Sequence, residues 1–338
     1  MIYCLAYKDL IIYQWMMMQI LVTGATGFVG RKLVDYMLEQ TSFNLRLAVR
    51  SKFDFCFGDR VSISTIPDIS AYTNWRDALL DCQVVIHAAA RVHVMQEFEQ
   101  APLDAFREVN VKGTLTLARQ ASASGVKRFI YLSSIKVNGE LTAPGKPFCP
   151  HDSVMPQCDY AVSKYEAEQG LLKLAKETGM EVVIIRPVLV YGPSVKGNFK
   201  RMMDWMKKGV PLPFGLVNNQ RSFVSVDNLV DLIVTCIKHP RAANQVFLVS
   251  DGHDLSTTVL LKKLRALMER RVLFVPVPVT ILNYAAKLVG QKVVTDRLCG
   301  SLQVDISKTR ELLDWQPCVN VDAVLKATVD AYICNEVV

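Results

Sequence analysis

Three groups of residues have the types and spacing to do chemistry. Tyr160 and Lys164 stand four residues apart in Tyr160-Ala-Val-Ser-Lys164, at the head of a predicted helix. Phenol and ammonium therefore share one helix face. A cation beside a phenol lowers its pKa and lets the hydroxyl exchange a proton near neutral pH. Ser133-Ser134 closes the apolar run Phe129-Ile-Tyr-Leu-Ser133, and open parallel sheets place ligands at the C-terminal ends of their strands. The third group is Gly24-Ala-Thr-Gly27-Phe-Val-Gly30, between an apolar run and a helical stretch. Gly24 would make the tight turn, Gly27 would let backbone approach a pyrophosphate, and Gly30 would let helix pack on sheet, with the anion at the helix N-terminus. The spacing is GxxGxxG, not GxGxxG. A ligand-free turn and a surface Tyr/Lys pair are the plain alternatives; the order of all three groups along one chain favours chemistry.

These groups need a scaffold, and the chain alternates strand and helix. Apolar runs predict strands at 19–23, 45–49, 61–65, 84–88, 129–133, 182–186 and 245–249, and periodicity predicts helices at 28–40, 74–80, 102–124 and 160–178. Strands alternating with helices of this length imply right-handed crossovers and a parallel sheet. The expected fold class is α/β: a doubly wound parallel sheet beside a smaller, mainly C-terminal α/β substrate domain. Residues 16–192 and 223–250 are assigned to the first domain and 193–222 and 251–338 to the second, because prolines 193, 211 and 213 and glycines 197, 209 and 215 break the regularity. Residues 1–15 are read as an extension without functional role, with the natural start at Met16, Met17 or Met18.

Composition narrows the function classes. The chain has 338 residues, 51% hydrophobic and 21% charged, which excludes a disordered polymer. Its net charge of +7 is spread out with no basic run, so no nucleic-acid partner is expected. The nine cysteines are scattered without a CxxC pair and read as reduced, in a cytoplasmic protein. The five histidines include no HxxxH or HExxH spacing, so no metal is expected. The stretch from Leu10 to Val22 is interrupted by Gln14 and Gln19 and is too short to span a bilayer.

At the end of the second strand, where NAD-selective sites carry an acid for the ribose, the chain has Arg50-Ser51; the next carboxylate is Asp54. A guanidinium there would pair with a 2′-phosphate. NADP(H) is therefore favoured as cofactor and NAD(H) remains possible. The plain alternative is that Arg50 is a loop charge.

From Gln19 to Tyr332 the chain resembles the extended short-chain dehydrogenase/reductase family. The resemblance rests on GATGFVG (24–30), Asp68-Ile69, His87-Ala-Ala-Ala90, Asn110-Val-Lys-Gly-Thr114, Ser133-Ser134, Tyr160-xxx-Lys164, Arg186-Pro187, Tyr191-Gly-Pro193, Arg221-Ser-Phe-Val-Ser-Val-Asp227, Asp305-Ile-Ser-Lys308 and Leu313-Asp-Trp-Gln-Pro317. It implies a Rossmann sheet and a nucleotide-sugar substrate. It assigns Ser134, Tyr160 and Lys164 to catalysis, with Ser134 chosen over Ser133 by alignment on Val137 and Gly139. Gly24, Thr26, Gly27, Phe28, Val29, Gly30, Arg50, Asp68, Ile69, Ala88, Ala89, Ala90, Asn110, Tyr160, Lys164 and Pro187 are the implied cofactor contacts. Ser134, Lys136, Asn198, Arg221 and Arg297 are the implied substrate contacts, Arg221 at the diphosphate. Lys136 is equally read as an exposed loop lysine. A homodimer through helices 102–124 and 160–178 is also implied.

Within that family the reaction is narrowed by residues. A 4,6-dehydratase would carry Thr-Asp-Glu where this chain has Ser134-Ile135-Lys136, so dehydration is disfavoured. A 3,5-epimerase needs Cys and His; Cys149 and His151 lie outside its motif positions. Hydride transfer at sugar C4 remains. Arg50, and Arg186-Pro-Val-Leu189 in place of Arg-Tyr-Phe-Asn, weaken a simple epimerase reading. The segments 134–140, 250–256 and 300–305 look most like a surface-polysaccharide branch that reduces a UDP-4-keto-6-deoxy-N-acetylhexosamine. That reductase is the expected activity. The alternative is a UDP-glucose or UDP-N-acetylglucosamine 4-epimerase with tightly bound NAD. A non-catalytic NADP-sensing protein is the remote alternative, argued against by the intact Ser134, Tyr160 and Lys164.

Overall fold

Residues 18–51, 58–92 and 102–334 are described by a computed structural model. The extension at 1–15 and Asp54 lie outside them. From the N-terminal side run β1 (Gln19–Thr23), α1 (Phe28–Gln40), β2 (Asn44–Val49), β3 (Val61–Thr65), α2 (Arg76–Leu79) and β4 (Cys82–His87). Next come α3 (Pro102–Arg107), a π-helical segment (Glu108–Gly113), α4 (Thr114–Ala123), β5 (Arg128–Leu132), α5 (Asp159–Thr178) and β6 (Glu181–Pro187). The rest of the chain holds β7 (Leu189–Tyr191), α6 (Gly197–Lys208), β8 (Phe223–Ser225), α7 (Val226–Lys238) and β9 (Gln245–Val249). It ends with α8 (Thr257–Leu267), α9 (Val279–Leu288), α10 (Lys292–Cys299), α11 (Ser307–Leu313) and α12 (Val321–Cys334).

Two compact units emerge. The first takes the chain through Val137, Pro156–Arg186 and Val230–Phe247. Its sheet, in the order β3-β2-β1-β4-β5-β6-β9, is the α/β Rossmann-like fold expected. Parallel pairing is continuous from β3 to β6. The strands are runs of Val, Ile and Leu because helices cover both sheet faces: Ile20, Leu21, Val22, Val85, Phe129 and Ile184 are buried. The order reverses between β1 and β4, and ligands of such sheets bind where the strand order reverses. Gly24 follows β1 and Ala88 follows β4, so both loops open at that point.

The sequence predicted one uninterrupted helix over 102–124. The structure widens its middle into the π-helical segment Glu108–Gly113, a distortion that is rare and concentrated at functional sites. Gly113 within it meets Ile69 closely, since a Cβ there would lie 2.7 Å from Ile69 Cγ2. Gly170 on α5 likewise admits Leu115 of α4, whose Cδ1 would stand 2.7 Å from an added Cβ.

The second unit comprises Asn138–Met155, Pro187–Leu229 and Leu248–Val338. Its β7 and β8 pair in parallel as a small separate sheet. A buried knot fixes them: the Asp251 carboxylate accepts from the Tyr191 hydroxyl (2.8 Å), the Ser225 N–H (2.9 Å) and Asn228 Nδ2 (2.6 Å). That knot explains a difference from the boundaries drawn on sequence. Residues 187–192 and 223–229 go with the second unit, as do 138–155.

Candidate active site

The glycine turn is built for close approach. Gly24 has φ +74°, and a Cβ on it would lie 2.7 Å from the Ala89 nitrogen. On Gly30 a Cβ would sit 2.0 Å from the Gly24 carbonyl oxygen, so only glycine lets α1 start against this turn. The Gly27 N–H closes the turn onto the Gly24 carbonyl at 2.9 Å. Gly27 caps α1 without any side-chain hydrogen bond, which leaves the first N–H groups of the helix for a ligand. Thr26 and Gly27 are exposed, and Phe28 and Val29 are half-buried. These residues fit a dinucleotide diphosphate.

The loop after β4 is tied to this turn. The Ala88 N–H donates to the Thr23 carbonyl (3.3 Å) and the Ala89 N–H to Thr23 Oγ1 (3.3 Å). Thr23 Oγ1 meets His87 Nδ1 at 2.7 Å, and His87 Nε2 meets Thr114 Oγ1 at 2.9 Å. His87 is thus a buried strut between two threonines. Burial first, and then the Lys164 charge, pull its pKa down to about 3, so the ring is neutral. Asn110, in the π-helical segment, is buried with its amide committed to the chain itself. Its Nδ2 donates to the Arg91 carbonyl and to Ser163 Oγ, both at 3.0 Å, and its Oδ1 accepts from the Arg91 N–H at 2.8 Å. Asn110, implied by the family resemblance as a cofactor contact, joins the loop after β4 to α5.

Farther along the sheet edge, Arg50 is exposed directly after β2, and Asp68 and Ile69 follow β3. Asp68 Oδ1 accepts from Thr73 Oγ1 (2.9 Å) and Ser70 Oγ (3.2 Å). Half-buried Ala90 completes the loop, and buried Pro187 ends β6.

The two serines after β5 differ sharply. Ser133 is buried, and its hydroxyl donates to Glu168 Oε1. Ser134 is half-buried, and its Oγ accepts only from the Lys136 N–H, at 3.3 Å, among the bonds described. Glu168 is fully buried and paired with Arg186, whose Nε reaches Oε1 at 2.9 Å. Sequence reading passed over Glu168, although it lies one turn beyond Lys164 on the same face. Lys136 sits half-buried in a short 3-10 turn, Ile135–Val137.

Tyr160 and Lys164 are brought together as the spacing predicts. Lys164 Nζ lies 5.9 Å from the Tyr160 ring centroid and 4.6 Å from that of Tyr131. Phe106 meets Tyr160 edge-on, with ring centroids 6.1 Å apart. Lys164 is buried and donates to the Leu132 carbonyl at 2.9 Å. One expectation is corrected for the chain by itself: the phenol is not lowered. Burial, with a smaller contribution from Cys158, pushes Tyr160 upward. Burial also brings the Lys164 ammonium down to about 7, against an opposing pull from Glu168. Desolvation sets the direction for both groups.

The implied substrate residues lie in the second unit, Ser134 and Lys136 excepted. Arg221 is half-buried and donates through Nη1 to the Gly300 carbonyl at 2.9 Å. Burial, and then the Arg297 charge, lower its pKa to about 10 against the pull of Glu140. Arg297 Nη2 stands 4.0 Å from Glu140 Oε1. Two guanidinium groups with one nearby carboxylate leave net positive charge for an anion. Asn198 is exposed in the first turn of α6. Among the described residues no cluster of three metal-ligating side chains occurs, no cysteine is in a disulfide, and no helix is long and apolar enough to cross a membrane.

Comparisons with known proteins show the family and the fold. The profile of the NAD dependent epimerase/dehydratase family matches residues 20–250. A UDP-glucose 4-epimerase of Vibrio cholerae is 49% identical over 315 residues, covering 93% of this chain and 95% of that protein. An N-acetyl-alpha-D-glucosaminyl-diphospho-ditrans,octacis-undecaprenol 4-epimerase of Escherichia coli O157:H7 is 25% identical over 303 residues, covering 86% of this chain and 88% of that one. Among solved structures, UDP-glucuronic acid 4-epimerase from Bacillus cereus in complex with NAD superposes with a TM-score of 0.75 at 20% identity, over 94% of this chain and 99% of that chain. At that identity the superposition establishes the fold.

Proposed function

The chain belongs to the NAD dependent epimerase/dehydratase family, and from that premise we propose that it is a nucleotide-sugar 4-epimerase that keeps NAD and inverts C4 of a UDP-hexose. The observation that carries this reading is the long, close similarity to the Vibrio cholerae UDP-glucose 4-epimerase. It favours the alternative of the sequence analysis over the reductase expected there.

The glycine turn, Asp68, Ile69 and the loop 88–90 would hold the dinucleotide, with Lys164 at the nicotinamide ribose. When bound, a nicotinamide supplies the hydride acceptor and donor for the sugar carbon and, oxidised, a positive charge. Tyr160 accepts the C4 hydroxyl proton as the C4–H bond breaks and the C4–O bond becomes a carbonyl. Ser134 donates a hydrogen bond to that oxygen. An epimerase would turn the keto sugar over between the two hydride transfers that a bound nicotinamide would supply, and Tyr160 would then return its proton to the C4 oxygen to give the inverted alcohol. Atoms and electrons balance with no net oxidant. Burial pushes the Tyr160 phenol up, and the positive charge of an oxidised nicotinamide, with Lys164, would favour the phenolate that takes this proton. Arg221 and Arg297 are proposed for the diphosphate of the UDP-sugar, and a homodimer through α3–α4 and α5 is proposed as the assembly.

A second reading is favoured by one specific observation, the exposed Arg50 after β2. It suits a 2′-phosphate, hence NADP(H) and a C4 reductase acting in surface-polysaccharide synthesis. Acid denaturation of the purified protein, followed by identification of any released nucleotide, separates the two. Near-stoichiometric NAD supports the epimerase. An empty protein that binds NADPH more tightly than NADH supports the reductase.

A further inference from the structure

Helix α9 breaks the usual pattern of a surface helix. Its ten residues, VTILNYAAKL, are mostly apolar, yet Ala286 is its only buried residue. Ile281 is 57% exposed, Tyr284 68% and Leu288 71%, all on one face at helical spacing. The turn into α10 adds Val289 at 69%, and α10 itself adds Val293 at 56%. A helix this apolar is ordinarily buried, and a contiguous apolar surface of this kind marks an interaction site.

The charges around the patch select among occupants. From Val279 to Cys299 the hairpin carries Lys287, Lys292 and Arg297 against one carboxylate, the half-buried Asp296. Lys287 and Lys292 flank the α9–α10 turn, and both are exposed. A second copy docking by the same face would set these cations against their own counterparts, with one half-buried carboxylate per copy, Asp296, against three cations. An anionic lipid surface meets both demands. Its acyl region takes the apolar side chains to a depth of about 5–10 Å, its headgroups pair the lysines, and Tyr284 suits the boundary between them. We propose that the α9–α10 hairpin is a peripheral docking surface for an anionic bilayer, holding the enzyme on the membrane without spanning it.

Vesicle co-sedimentation of the full chain tests this, with phosphatidylcholine alone and mixed with phosphatidylglycerol. The wild-type protein is expected to pellet with the mixed vesicles, to release as salt rises, and to ignore the neutral ones. Ile281→Asn with Leu288→Asn removes two exposed apolar anchors and should lower binding by about tenfold or more. Circular dichroism and turnover in free solution should be unchanged in that variant. Lys287→Glu with Lys292→Glu should abolish the preference for phosphatidylglycerol. Failure of the wild-type protein to bind mixed vesicles overturns the proposal, as does equal binding by the Ile281/Leu288 variant. A wild-type dimer in sedimentation velocity that this variant turns into a monomer, without vesicle binding by either, would assign the face to a second copy instead.

Discussion

Ser133 and Glu168 are joined by a buried hydrogen bond at Oε1, and Arg186 donates to both carboxylate oxygens, through Nε to Oε1 and Nη2 to Oε2. This bond gives a physical difference between the two adjacent serines, of which the family resemblance picked Ser134. Ser133 belongs to the wall, and Ser134 is the serine proposed for the reacting oxygen. Ser134→Ala should lower kcat by about 10²–10³ with an unchanged melting temperature. Ser133→Ala should instead lower stability by about 1–3 kcal/mol while retaining more activity. Turnover and thermal melting of the two variants, measured side by side, check the assignment; the reverse pattern would refute it.

Tyr160→Phe removes the proposed proton acceptor and keeps the ring that packs on Phe106. Turnover should fall by about 10²–10⁴. Cofactor binding, followed by nicotinamide-nucleotide titration, should survive.

Glu168→Leu strands the Arg186 guanidinium, which is 4% exposed. Removing one partner of a buried pair costs about 3–5 kcal/mol, readable as a shift of the urea unfolding midpoint. Glu181→Gln is the control: it breaks a pair with Arg128 whose carboxylate is 40% exposed, and should cost less.

His87 gives the pH prediction. Its pKa is about 3 in the folded chain against an ordinary value of 6.5. Below 6.5 the unfolded chain takes up a proton that the folded chain refuses. Stability from this group is therefore full above 6.5 and falls as pH drops toward 3. In His87→Gln that loss should disappear, so the wild-type curve should be steeper by about 1.4 kcal/mol per pH unit over this window. Urea unfolding of both proteins between pH 6.5 and 4 measures the difference.

Much of this arrangement was legible in the residues, for identifiable reasons. The strands of the large sheet are short apolar runs, and Gly24 and Gly30 are forced by backbone atoms that would stand under 3 Å from a Cβ. Tyr160 and Lys164 were legible because helical spacing fixes their face. Glu168 was not, since a glutamate near Glu166 and Lys173 reads as a solvated helix face until Arg186 of the neighbouring strand is seen beside it. The π-helical segment was hidden because the apolar pattern of 102–124 continues through it. The pairing of β7 with β8 was missed because three-residue strands carry too few residues for a period. The Tyr160 pKa was misjudged because local spacing reports the cation and not the depth of burial around it.

Inversion at C4 is the most direct test of the proposed activity. The purified protein should be incubated with UDP-glucose, and then with UDP-N-acetylglucosamine, while proton NMR follows the sugar, with no nucleotide added beyond what copurifies. The epimerase account predicts that at least one sugar is converted to its C4 epimer, with no net change in nicotinamide absorbance. No inversion of either sugar, together with stoichiometric NADPH consumption when a UDP-4-keto-6-deoxy-hexosamine is supplied, would contradict it and establish the reductase.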